Sequence, residues 1–154
     1  MSDLIKSIPD GWTNTNGGQK KPSRLSPGEL VNLLVKIVGP KLKWNCLTLE
    51  PEFENELLDG IIQNYFHILL GQKGWVIPKV DAQDALLFAA KENCYNPVWD
   101  WLSNIESNKN IYHADIESIA TDFLGTTDPL YDKMFKAFLI GAVNRAKNRG
   151  SKFD

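Results

Sequence analysis

A mainly α fold, a compact helical domain of about six helices with a small β-hairpin or short three-stranded element, follows from three features. Apolar residues recur at 3.6-residue spacing in several separate stretches. Most of those stretches open on a Ser, Asp or Asn that can cap a helix, often with Pro next. Only residues 42–54 and 75–77 carry strand-like patterns. A sheet of four or more strands lies outside this expectation.

The 154 residues are 43% hydrophobic and 23% charged, ordinary globular values that allow one domain with a real core. Net charge is −2, yet residues 133–153 carry six cations and no carboxylate, which leaves the remainder acidic. A globally basic protein is excluded, and a local basic end is not. Cys46 and Cys94 are too few for a disulfide framework and no signal peptide precedes them, so both are expected reduced, in a cytoplasm. No apolar run approaches the roughly 20 residues of a membrane span.

Residues 1–24 hold few apolar side chains and read as a flexible polar tail, with 25–154 as the helical domain. The first helix starts at Ser26-Pro27-Gly28-Glu29, a capping box with Leu25 and Leu30 as its hydrophobic staple. Gly39-Pro40 stops it. Residues 42–53 alternate like a strand that Pro51 confines to an edge or turn. Glu50, Glu52, Glu54 and Glu56 would then share one face, most simply as a solvated edge. A second helix runs from Asp59 through Ile61, Ile62, Tyr65, Phe66, Leu69 and Leu70 to Gly71 or Gly74, with His67 beside that stripe. A short strand precedes a helix over 80–92, expected to bury Ala85, Leu86, Phe88, Ala89 and Ala90.

Asn96-Pro97 opens a short helix holding Trp99 and Trp101, which at that density suggest a core or an interface. A helix through Ile116, Ile119 and Phe123 ends at Gly125. Asp128-Pro129 then starts the stretch around which the chain is expected to be organised. Tyr131, Phe135, Phe138, Leu139, Ala142, Val143 and Ala146 form an apolar stripe, and Gly150 closes the helix. Arg145, Lys147, Arg149 and Lys152 make its end cationic and are the candidate phosphate contacts, with Lys20, Lys21 and Arg24 adding reach from the tail.

The sequence holds no G-x-x-x-x-G-K-[ST] loop and no G-x-G-x-x-G. Cys46, Cys94, His67 and His113 are too scattered for a zinc signature, so no cofactor or metal is expected.

Three stretches, in order, resemble the virulence-associated E family. They are Ala89-Ala90-Lys91-Glu92-Asn93 with Tyr95-Asn96-Pro97-Val98 and Asp100-Trp101-Leu102; Phe123-Leu124-Gly125-Thr126-Thr127-Asp128-Pro129-Leu130; and Phe138 to Arg145 with Gly150 to Asp154. The likeness covers roughly residues 42–154. Trp99 stands where that family usually has arginine, and residues 107–110 replace a common W-D-G turn. The family comprises predicted ATPases of phages, plasmids and genomic islands, similar to replicative helicases, and these motifs lie directly ahead of a P-loop core. The resemblance implies an accessory region cut or naturally ended before that core, with no enzymatic activity of its own. Its expected partners are DNA, bound weakly and without sequence preference, and the P-loop core or homologous subunits. The alternative is a stand-alone regulatory module that binds full-length subunits through Trp99 and Trp101 without touching DNA.

Overall fold

Residues 2–15, 18–148 and 150–152 are described by the structure, a computed structural model. The protein is mainly helical with small mixed sheets, and it divides into two compact units, Met1–Tyr95 and Asn96–Asp154. The division falls inside the Tyr95-Asn96-Pro97-Val98 stretch, so the expected single domain over 25–154 is not found.

The first unit builds its core from three helices, α2 (Pro27–Ile37), α3 (Gly60–Gln72) and α4 (Lys79–Lys91). The Ser26 capping box is present in full. Ser26 Oγ accepts the Glu29 N–H, and the Glu29 carboxylate accepts the Ser26 hydroxyl at 2.6 Å and the Ser26 N–H at 2.9 Å, bonds that hold that carboxyl below its ordinary pKa. Asp59 caps α3 through the Ile61 N–H. Leu30, Leu34, Phe66, Leu70 and Leu86 are fully buried between the helices. Phe88, expected inside, is exposed. Ala82, Ala85, Leu86, Ala89 and Ala90 make up the buried stripe of α4, and Phe88 falls outside it.

The segment expected to be a flexible tail is folded. Helix α1 (Ser2–Ser7) inserts Leu4, 2% exposed, and the residue after it, Ile8, 1% exposed, into the core. Strands β1 (Trp12–Asn14) and β2 (Lys20–Arg24) then pair antiparallel, and β2 pairs parallel with β6 (Trp75–Val76). Burial of two large aliphatic side chains outweighs the polar average of the segment.

Two Gly-Trp dipeptides lock this region. A Cβ on Gly74 would lie 2.6 Å from the Trp12 ring, and one on Gly11 would overlap the Trp75 ring, so each tryptophan covers the other's glycine. The Gly11 N–H donates to Lys73 O at 2.7 Å, the Trp75 indole N–H donates to Pro9 O at 2.9 Å, and Lys73 pairs with Asp10 at 3.4 Å.

A second sheet has four strands in the order β5-β4-β3-β7, more than the expected hairpin or three-stranded element. β3 (Leu42–Asn45) and β4 (Glu50–Phe53) form a hairpin, β5 (Glu56–Leu57) extends it, and β7 (Cys94–Tyr95) adds in parallel. Pro51 therefore sits in an inner strand rather than at an edge. Leu58, just past β5, donates its N–H to Pro51 O at 2.9 Å, so on that side Pro51 is paired through its carbonyl alone. Glu54 and Asn55, at φ 54° and 68°, make the tight turn between β4 and β5. That turn breaks the expected row of four carboxylates. Glu52 accepts from Asn45 Nδ2 at 2.8 Å and from the Tyr95 hydroxyl, while Glu54 pairs with Lys41 at 2.7 Å.

Cys46 and Cys94 form a disulfide rather than the expected pair of thiols. Parallel pairing places Trp44 opposite Cys94, so Cys46, two residues on, shares its face. Their Cα atoms are 6.2 Å apart, within bonding range.

The second unit contains α5 (Pro97–Ser107), α6 (Ile119–Leu124) and α7 (Pro129–Lys147). Gly125, at φ 66°, ends α6 in the left-handed conformation, and Asp128 caps α7 through the Leu130 N–H. Asp132 ties α7 to α6, accepting from the Thr121 hydroxyl at 2.7 Å and the Thr121 N–H at 2.9 Å. These bonds favour the carboxylate and lower its pKa from the ordinary value. A lowered carboxyl contributes stability above its unfolded pKa and loses it as pH falls through the folded one. Protection of the Thr121 amide against hydrogen exchange is expected to fall as pH drops through and below the ordinary carboxylate range. Asp132→Asn should flatten that dependence.

The expected organisation around α7 does not hold. The larger core lies in the first unit, and on α7 only Gly141 and Ala146 are buried. Tyr131, Phe138, Ala142 and Val143 are exposed, while Phe135 and Leu139 are half-buried. The helix period is as the sequence predicts; the covering of its stripe is not.

Candidate nucleic-acid interface

The predicted cations fall into two groups, one in each unit. In the second unit, Asn96 fixes the end of α7. Its Oδ1 accepts the Trp99 N–H at 3.1 Å and caps α5, while its Nδ2 donates to Ala146 O at 2.6 Å, in the last turn of α7. Asn96→Ala removes both bonds and is expected to cost about 1–2 kcal/mol of local stability. Faster hydrogen exchange across the first turn of α5 checks it.

Lys147 Nζ stands 5.4 Å from the centre of the Trp99 ring, a cation–π contact. Arg145 is exposed but lies two residues earlier, so it points away to the other side of the helix. Lys152 is exposed beyond the helix end, and Arg149 lies outside the described residues. The basic end is thus a collar of separate charges rather than one face. Part of its cation excess simply complements the C-terminal end of the helix dipole. Trp101 is 61% exposed, whereas Trp99 is half-buried beneath Lys147.

In the first unit, Lys20, Lys21 and Arg24 are not on a tail but on β2, all exposed. Cross-strand partners share a face. Trp12 opposes Pro22, Asn14 opposes Lys20 and Arg24 opposes Val76, so Lys20 and Arg24 stand beside Trp12, Pro22 and Val76. Lys21 opposes Thr13 and belongs to the other face. Trp12 and Val76 are absent from the residues that sequence reasoning singles out. The recurring Gly-Trp dipeptide at 11–12 and 74–75 was the available signal.

Among the described residues, no three His, Cys, Asp or Glu side chains come together where they could hold a metal ion. Among them, too, no helix is long and apolar enough to cross a membrane. No family model, curated protein or solved structure matches the chain.

Proposed function

We propose that this chain is an accessory domain that engages DNA for a virulence-associated E-like replicative helicase or ATPase of a phage, plasmid or genomic island. One observation carries the reading: exposed cations gather at β2 and at the end of α7 on a chain whose remainder is acidic. Contacts of this kind go to phosphate, so binding is weak, indifferent to sequence and strongly salt-dependent. The chain supplies positioning and no catalysis; ATP turnover belongs to a P-loop core that would be its partner.

A second reading is favoured by the apolar side chains that α7 leaves exposed, Leu130, Tyr131, Met134 and Phe138. On that reading the second unit docks onto homologous subunits, with Trp99 and Trp101 of α5 also in contact, and DNA is not touched. Fluorescence anisotropy separates the two. The double variant R145E/K147E should bind labelled DNA about tenfold more weakly at low salt, and equally so for every sequence. Undiminished binding by that variant would remove the α7 end from the DNA reading. Absence of binding in wild type would leave the docking reading.

A further inference from the structure

The face of β2 that carries Lys20 and Arg24 has the makings of a site for unpaired bases. Between Gly11 and Arg24 the chain has three cations and no carboxylate. Trp12 covers Gly74 with part of its ring and still leaves 42% of its surface open, while its neighbour Val76 is 48% exposed. The ring is therefore held in place by its packed side and accessible from the other. Ordering it again on binding costs little. Lys20 and Arg24 are four residues apart along one strand face, a separation of about 13 Å, with Pro22 between them as flat apolar surface. Two carboxylates, Glu29 and Asp81, line the hollow beside Arg24, and Glu29 is already held by Ser26.

Charge alone would serve any polyanion, but an exposed ring beside it selects a partner with free aromatic faces. In a duplex those faces are stacked on one another; in a single strand they can stack on an indole, an interaction that tolerates every base. We infer that this face binds single-stranded DNA, with a base on Trp12 and backbone phosphates on Lys20 and Arg24. The inference rests on the DNA reading above and names the form of DNA and the residues that take it.

The test uses the whole chain and fluorescein-labelled 12-mers at low salt: oligothymidine, an abasic strand of equal length, and a duplex. Oligothymidine is expected to bind more tightly than either of the others. W12A should weaken oligothymidine about tenfold and abolish its advantage over the abasic strand, whereas W12F, which keeps a flat ring, should retain most of it. Because Trp12 also packs on Gly74, K20E/R24E serves as the second variant; it leaves the ring in place and should weaken binding about tenfold. Circular dichroism confirms folding in each case. Equal binding of oligothymidine and the abasic strand overturns the inference. So does unchanged binding by K20E/R24E, or displacement of oligothymidine by a polyglutamate peptide at equal charge. If R145E/K147E loses binding while K20E/R24E keeps it, only this inference falls. If wild type binds none of the three, the DNA reading falls with it.

Discussion

Gly74→Val is expected to destabilise the first unit by roughly 3–5 kcal/mol, combining the strain of a β-branched residue in left-handed backbone with overpacking. Gly74 sits at φ 84°, where a side chain is strained whatever the space. Here there is no space either, since a Cβ would stand 2.6 Å from the Trp12 ring. Trp12 lies opposite Pro22 in the β1–β2 pair, so relief requires the ring to give up its packing on Gly74 or β1 to shift. Gly71→Ala is the control. It is a helical position with nothing near the added methyl, and the better helix former should stabilise by about 0.5–1 kcal/mol. Urea unfolding followed by tryptophan fluorescence measures both. A Gly74→Val protein with the wild-type midpoint would mean that the crossed Gly-Trp pairs are not formed.

Reduction of Cys46–Cys94 is the second large effect. The bond closes a span of 48 residues, which on loop entropy corresponds to about 4 kcal/mol. It also pins β7, only two residues long, against β3. Dithiothreitol should therefore lower the thermal midpoint of the first unit by roughly 15 °C or more. Cys94→Ser should melt near the reduced protein and be insensitive to dithiothreitol. Two free thiols in the unreduced native protein, or an unchanged midpoint after complete reduction, would contradict the pairing. In a cytoplasm such a bond is held against a reducing pool, so its thiol count in cells bears directly on where the protein works.

Helix starts were legible because a cap is a local event. Ser26, Asp59, Asn96 and Asp128 each accept a backbone N–H within three residues, so the sequence around them carries the whole signal. The strands at 42–53 and 75–77 were legible from their patterns, whereas β2 and β7 were not, for the opposite reason. β7 is two residues long and pairs with β3, and β2 pairs with β6, each partner lying far along the chain. The N-terminal segment was misread because its composition was averaged. Leu4 and Ile8, four residues apart, are the helical spacing that anchors it. Periodicity also showed which side of α7 is apolar, yet it carries no information about whether anything covers that side. The candidate site divides along the same line. The cations at 20, 21, 24, 145, 147 and 152 were visible as residue types, but only strand register sets Trp12 and Val76 beside Lys20 and Arg24, and only helix geometry separates Arg145 from Lys147.

Engagement of DNA by the exposed cations is read from the anisotropy of a labelled 12-mer single strand titrated with the full chain across a salt series. Binding is expected at low salt, with log affinity falling linearly with log salt by about 0.7 per phosphate neutralised. No binding at low salt, or binding that salt leaves unchanged, would contradict it.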